Sequence, residues 1–286
     1  MMTVGIVGCG TIGSSLAKAI DSHHRLQARI VALTDLNRAH ARQLQQSLHA
    51  HPPIVSLTEL IRRSHVVIEA ASVGIAADVA ARALRQHRDV LVMSVGGLLL
   101  KPSRWLAVAS RSRGRIHIPS GALAGLDGIK ALATGPIQRI RLTTRKPPRA
   151  LMTAPLVRAR RIDLTRLRRP RVLFEGSPRH AIKAFPQNLN VGAALVLACA
   201  SSAFARRPGR YSLALRRAIS RVRVRIIADP TIHRNMHEVD VESPRARLRC
   251  AIESEPAAAN PQTSESALRS ALATAQQLFS SVRVGT

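Results

Sequence analysis

Residues 4–13 read Val-Gly-Ile-Val-Gly-Cys-Gly-Thr-Ile-Gly, and this stretch decides the fold class of the first part of the chain. An apolar run leads into three glycines, and apolar residues at helical spacing follow them. A strand, a glycine turn and a helix in this order are typical of dinucleotide binding. Gly8 permits the tight turn, Gly10 lets the backbone approach a pyrophosphate, and Gly13 lets the helix pack closely on the strand. The alternative is a glycine-rich turn without a ligand.

An acidic residue follows at the distance that this interpretation requires. The second apolar run, residues 30–34, ends at Asp35, roughly 20 residues past the glycines, where such proteins bind the adenine ribose hydroxyls. Its alternative role is a turn or helix-cap acid before Leu36. The carboxylate favours NAD because it repels the 2′-phosphate of NADP, although Arg38 is close enough in sequence to neutralise that phosphate. The residues predicted to bind NAD or NADP are Gly8, Gly10, Thr11, Ile12, Gly13 and Asp35.

Composition sets the broad class of protein. The chain has 286 residues, of which 46% are apolar, so two domains with substantial cores are expected. Five of the 44 basic residues are lysines and 39 are arginines, and the formal net charge is +28. The arginines are dispersed and aromatic residues make up only 2%, which argues against nucleic-acid binding because stacking platforms are scarce. We interpret the arginine excess mainly as a mutational codon bias, and an anionic partner or surface is the alternative.

The cysteines and the apolar stretches indicate a cytoplasmic protein. Cys9, Cys199 and Cys250 are widely spaced and odd in number, which favours a reducing compartment without disulfides. No N-terminal segment has the pattern of a signal peptide, and the apolar residues 191–200 are too few to span a bilayer. No compact Cys/His cluster is present in the sequence, so no metal is expected. Cys9 is expected to be a small buried residue rather than a nucleophile.

The order of predicted elements indicates two architectures. Strands and helices alternate through residues 1–118, which predicts a Rossmann-type, doubly wound parallel sheet of the α/β class. Residues 119–264 predict an α+β substrate domain with an open mixed sheet, in which a strand over residues 137–144 is broken at 145–148. Residues 265–286 predict a C-terminal helix that packs back on the N-terminal domain.

Short motifs recur in a fixed order through the second half. They are residues 118–122 (Ile-Pro-Ser-Gly-Ala), 143–148 (Thr-Thr-Arg-Lys-Pro-Pro), 174–176 (Phe-Glu-Gly), 185–191 (Phe-Pro-Gln-Asn-Leu-Asn-Val), 228–230 (Ala-Asp-Pro), 235–238 (Asn-Met-His-Glu) and 260–264 (Asn-Pro-Gln-Thr-Ser). Each motif is ordinary, but the ordered set is specific. Over nearly the whole chain it resembles the L-aspartate dehydrogenase family.

The resemblance implies a reaction and a set of site residues. The reaction is the NAD(P)-dependent oxidative deamination of L-aspartate to iminoaspartate, then oxaloacetate and ammonia, and it can feed NAD biosynthesis. The catalytic acid/base histidine of the family matches His237, and further cofactor contacts match Ala122 and Asn190. Without the family resemblance, the alternative role for Asn190 is that of a helix N-terminal cap. The family is usually oligomeric, so a homo-oligomer is expected.

Two alternatives to an aspartate dehydrogenase stay open at this point. One is a related dehydrogenase or imine reductase for another small dicarboxylate, and the other is a non-enzymatic dinucleotide-binding protein with a basic surface. The chain also departs from the family at residues 201–217, an arginine-rich segment that matches nothing in it and is expected to be dispensable for chemistry. Arginine or lysine must bind the substrate carboxylates, and composition does not choose among them. For Arg145 and Lys146, which lie in a motif, a surface role is equally compatible with the sequence.

Overall fold

The structure is a computed structural model that describes residues 1–22, 28–186, 190–204, 211–257 and 260–282. It divides the chain into two compact units. The first unit comprises Met1–Pro119 together with the segment that starts at Leu268, and the second comprises Ser120–Ala267.

The first unit is built on a five-stranded parallel sheet with the strand order β2-β1-β3-β4-β5. Its strands are β1 (Met2–Val7), β2 (Ala28–Thr34), β3 (Val66–Glu69), β4 (Asp89–Val92) and β5 (Ile116–His117). Its helices are α1 (Thr11–Ser22), α2 (Arg38–Gln46), α3 (Leu57–Arg63), α4 (Ala76–Arg85), α5 (Gly96–Leu100) and α6 (Pro102–Ala109). The strand order reverses direction beside β1, so the sheet is doubly wound as predicted, and its carboxyl edge is where ligands bind.

The core of this unit explains why its strands are continuous apolar runs. Val4, Ile6, Ile68 and Leu91 are almost completely buried in one cluster, because a parallel sheet covered by helices on both faces leaves no solvent side. Ala271 of the C-terminal helix belongs to the same cluster.

The second unit is built on a five-stranded mixed sheet with the strand order β10-β9-β6-β8-β7. Its strands, including a separate two-stranded pair, are β6 (Arg139–Lys146), β7 (Arg171–Gly176), β8 (Val222–Ala228), β9 (Asn235–Glu242), β10 (Arg247–Ser254), β11 (Pro256–Ala257) and β12 (Asn260–Ser264). Its helices are α7 (Leu126–Leu132), α8 (Pro155–Ala159), α9 (Pro178–Ala184), α10 (Asn190–Phe204) and α11 (Tyr211–Arg221), and α12 (Glu265–Phe279) begins in it; a 3-10 turn covers Pro148–Ala150. Among the described residues, no helix is both long and apolar enough to cross a membrane.

Strand β6 is longer than the sequence predicts. Its residues alternate between a covered and an open face through Lys146, which is the last residue of the strand and is buried. The charged pair before the prolines of residues 147–148 was expected to break the strand. The strand continues instead, because Arg145 pairs with Met236 of β9 and Lys146 pairs with Ala228 of β8. The acids of β9 face the open side, as their alternation predicts.

The segment 201–217 is partly helical where it is described. Its first residues continue α10, and Tyr211 begins α11, while residues 205–210 lie outside the described part. Leu215, which lies in the segment, is buried in α11. The described part of the segment therefore supplies apolar packing rather than only a surface loop.

Candidate active site

Of the three motif glycines in the glycine turn of the first unit, only Gly10 has room for a ligand beside it. Gly8 has a φ of +93°, and a Cβ there would lie 2.6 Å from the backbone of Ala70. A Cβ on Gly13 would overlap the carbonyl oxygen of Gly8. A Cβ on Gly10 would meet no atom within 4 Å. Gly8 and Gly13 are therefore required by the fold, whereas the space in front of Gly10 fits an approaching pyrophosphate.

The start of α1 supplies the donors for that group. Thr11 is the first helical residue, and its carbonyl oxygen accepts a hydrogen bond from Ser15 Oγ at 2.8 Å. Ile12 packs against the core cluster. The first N–H groups of a helix lack partners within it, so the backbone here can bind phosphate.

The Asp35 carboxylate accepts two backbone hydrogen bonds at the end of β2. Its Oδ2 accepts from the Cys9 backbone N–H at 2.6 Å, and its Oδ1 accepts from the Asn37 N–H at 2.7 Å. The side chain thus ties the end of β2 to the glycine turn. Burial, helped by the charge of Asp35, raises the pKa of the Cys9 thiol to about 12, so it is not a nucleophile.

One polar residue at this edge of the sheet was not identified from the sequence. Glu69, the last residue of β3, is fully buried and accepts hydrogen bonds from the N–H groups of Ala71 at 2.9 Å and Ser94 at 3.1 Å. It joins the loops that follow β3 and β4. Burial raises the pKa of its carboxyl group. An acid at the end of an otherwise apolar strand was the available signal.

The second unit brings four polar side chains together on the buried face of its sheet. On the antiparallel pair β6 and β9, Thr144 lies opposite His237 in the ladder. Lys146 lies two residues after Thr144 in β6, and Asn235 lies two residues before His237 in β9. Both share the same face as Thr144 and His237, because side chains alternate along a strand. We call Thr144, Lys146, Asn235 and His237 the polar quartet; none is more than 3% exposed.

His237 is held by a direct contact. Its Nδ1 lies 3.0 Å from Thr144 Oγ1. Burial first, and the positive charge of Lys146 second, lower the pKa of the imidazole to about 3. The ordinary pKa of a histidine is about 6.5, so burial moves this imidazole well away from the value of an exposed one. The imidazole is neutral at physiological pH and can accept a proton.

Lys146 is a buried residue rather than a surface residue. It is 2% exposed, and burial lowers the pKa of its ammonium group to about 7. Its neighbour Arg145 points to the other face and donates from Nη1 to Asp229 Oδ2 at 3.3 Å. Of these two candidates for binding a substrate carboxylate, only Lys146 lies beside His237.

Asn235 has one unsatisfied end. Its Nδ2 donates to Ser264 Oγ at 3.1 Å, while its Oδ1 is buried without a hydrogen-bond partner among the described residues. An amide oxygen in that state costs free energy unless a ligand or water supplies a donor. Sequence reasoning had used Asn235 only as part of a motif.

The remaining predicted contacts lie near the start of α10. Ala122 is buried, and Asn190 is the half-buried first residue of the helix. A Cβ on Gly121 would lie 3.8 Å from Val191 Cγ1, so the loop carrying Ala122 runs beside this helix end. The motif residues 187–189 lie outside the described part of the chain. No group of three or more potential metal ligands occurs among the described residues.

Comparison with known proteins assigns both parts of the chain. The family described as "Aspartate dehydrogenase, C-terminal" matches residues 127–278, and "Homoserine dehydrogenase, NAD binding domain" matches residues 8–119. L-aspartate dehydrogenases of Methanosarcina barkeri and Methanocella arvoryzae are 36% and 37% identical, each with both chains fully covered. The crystal structure of aspartate dehydrogenase from Thermotoga maritima has the same fold, with a TM-score of 0.71, 23% identity and full coverage of both chains.

The two family matches and the full-length relatives identify the chain, with its doubly wound sheet and dinucleotide turn, as an NAD(P)-dependent amino-acid dehydrogenase. The cofactor is NAD or NADP. Within that class, the chain belongs to the L-aspartate dehydrogenase family. The resemblance read from the ordered motifs is thereby confirmed.

Proposed function

We propose that this protein oxidises L-aspartate to iminoaspartate, which then hydrolyses to oxaloacetate and ammonia. The observation that carries the proposal is the neutral, buried imidazole of His237, in a chain similar over its full length to proteins named for this activity. Deprotonation of the substrate ammonium must precede hydride loss from Cα. The unprotonated imidazole can accept that proton once the substrate carboxylates lie beside it, because their negative charge raises its pKa.

The roles of the residues follow from their chemistry. NAD(P)⁺, when bound, accepts the hydride. The backbone at Gly8, Gly10, Thr11, Ile12 and Gly13 would hold its pyrophosphate, and Asp35 would accept hydrogen bonds from the adenine ribose. Ala122 and Asn190 would supply further cofactor contacts, as the family resemblance implies.

His237 would act twice on the substrate. It first takes a proton from the ammonium group and releases it to solvent, and it then takes a proton from water as the water oxygen bonds to the imine carbon. The imidazolium returns this second proton to the nitrogen. The carbon–nitrogen bond breaks afterwards, and the nitrogen leaves as ammonia.

The wider setting is also a proposal. Residues 1–118 would bind the cofactor, residues 119–264 the substrate, and residues 265–286 would support the first domain. The free cysteines, Cys9, Cys199 and Cys250, are compatible with a cytoplasmic protein. The family resemblance supports a homo-oligomer and a supply of iminoaspartate to NAD biosynthesis.

An initial-rate screen tests the function. Purified protein is given each of L-aspartate, L-glutamate, L-alanine and L-homoserine with NAD⁺ or NADP⁺, and reduced cofactor is followed by absorbance. We expect L-aspartate to have the highest kcat/KM. A higher value for another of these substrates, or no turnover of any, contradicts the proposal.

A further inference from the structure

We propose that Lys146 and Asn235 form the part of the site that recognises the substrate: the lysine ammonium group binds a carboxylate, and the Asn235 Oδ1 accepts a hydrogen bond from the α-ammonium group. This inference rests on the proposed function and adds the residues that select its substrate.

The placement of the two residues comes from the sheet register. Thr144 pairs with His237, and Arg145 pairs with Met236, which puts Lys146 and Asn235 at the next position of the same antiparallel register. Side chains directly opposite each other in such a ladder have Cβ atoms roughly 5 Å apart. The lysine, the asparagine and the histidine therefore line one small area of the buried face.

The chemistry of the three groups matches an α-amino acid. The substrate offers a carboxylate and an ammonium group on neighbouring atoms. A lysine ammonium is a compact donor for the carboxylate, and an amide oxygen is an acceptor for the N–H groups. His237 is the group to which one of the ammonium protons is transferred.

The unsatisfied oxygen of Asn235 points to a ligand independently of the lysine. Asn235 is fully buried, and Ser264 occupies its Nδ2, so the amide presents its oxygen as the open end. The members of the polar quartet are all almost fully buried. Any route by which the substrate reaches His237 must therefore also lead to Lys146 and Asn235.

Two ligands separate the two roles. Succinate has both carboxylates of L-aspartate but no amino group. Its binding therefore depends on the proposed contact with Lys146 and not on the proposed contact with Asn235. The Kd of succinate is measured by calorimetry with NADH present, and the KM of L-aspartate by initial rates. The variants are Lys146→Met, Lys146→Arg and Asn235→Leu. The control is Arg141→Met, which removes a charge from the open face of the same strand.

We expect Lys146→Met to raise both the succinate Kd and the L-aspartate KM at least about tenfold, the usual effect of losing a charged hydrogen bond. Lys146→Arg should restore part of this loss. Asn235→Leu should raise the L-aspartate KM about tenfold while the succinate Kd stays within about twofold. Arg141→Met should change neither value.

Three results would overturn the inference. They are normal succinate binding by folded Lys146→Met, equal weakening of both ligands by Asn235→Leu, and a wild-type protein that binds neither ligand. Asn235→Ser replaces Asn235→Leu if circular dichroism shows that the latter is unfolded. A wild-type protein that binds succinate through Lys146 but does not oxidise L-aspartate would refute the proposed function and leave the role of Lys146 in carboxylate binding standing.

Discussion

Thr144 Oγ1 and His237 Nδ1 lie 3.0 Å apart on paired positions of β6 and β9, and this contact fixes the orientation of the imidazole. When Nδ1 donates its proton to the threonine oxygen, Nε2 carries the lone pair and is the atom that would accept a proton from the substrate in the proposed mechanism. The hydroxyl thus acts through the histidine and is a positioning group.

Replacing that hydroxyl tests the assignment. Thr144→Val keeps the shape of the side chain but removes the acceptor, and we expect kcat to fall about tenfold, equivalent to one hydrogen bond. Thr144→Ser keeps the acceptor and should restore most of the rate. NAD affinity, measured by fluorescence titration, should be unchanged in both. Equal kcat values for the valine and serine variants would show that the hydroxyl has no such role.

The open space at Gly10 allows a substitution that should weaken NAD binding without destabilising the fold. Gly10→Val should leave the melting temperature within about two degrees, because its Cβ would meet no atom within 4 Å. NAD affinity should fall by at least about a hundredfold, since the side chain would occupy the pyrophosphate position. Gly135→Val, at an exposed position distant in sequence from the turn, is the matched control. Wild-type affinity of Gly10→Val by calorimetry would refute the assignment of the turn.

Replacing Asp35 tests both the choice between NAD and NADP and the support of the glycine turn. Because its carboxylate also binds the Cys9 and Asn37 N–H groups, Asp35→Ser should weaken NAD about tenfold or more as the turn loses its support. The ratio of kcat/KM for NADP over NAD should rise in the same variant, since the repulsion of the 2′-phosphate is removed. A wild-type preference for NADP would contradict the role of the carboxylate.

Sequence reasoning reached the fold and most of the first site because these depend on local patterns. The glycine turn, the apolar strands and Asp35 are neighbours in the chain or separated by a known spacing. The polar quartet depends on the register between β6 and β9, whose members are about ninety residues apart, and no local pattern fixes that register. Lys146 illustrates the limit: beside Arg145 and two prolines it was expected to lie in a break after the strand, but it pairs with β8 as the last residue of β6 and is buried. His237 was found only through the resemblance.

Burial of Lys146 has a cost that depends on pH. Its pKa is lowered by burial from its ordinary value of 10.5 to about 7, so between these values the unfolded chain binds a proton that the folded chain does not. Stability therefore rises with pH across this window, and the cost is fully present below pH 7. Lys146→Met should raise the free energy of unfolding by roughly 1–2 kcal/mol at pH 7, and the difference from wild type should shrink towards pH 10.

Urea unfolding of the wild type and the variant at both pH values measures that difference. Arg141→Met, on the open face of the same strand, should show no comparable change with pH. A destabilised Lys146→Met at pH 7 would mean that the ammonium group stabilises the fold. It would then be a structural cation rather than one kept for the substrate.

The role of His237 is tested by rate and pH together. His237→Ala should lower kcat by ~10²–10⁴-fold, the usual loss for a general acid–base group, with NAD affinity unchanged. The reaction needs the neutral imidazole, which is present above its pKa of about 3 and lost as the pH falls through that value. Wild-type kcat/KM should therefore show no loss from imidazole protonation near pH 6.5, where an exposed histidine would titrate. Lys146→Met removes a neighbouring positive charge, so it should raise the pKa of His237 in the free protein, which an NMR titration of the imidazole would detect. Near-normal oxidation of L-aspartate by folded His237→Ala would refute the mechanism, even though the chain would still belong to its family.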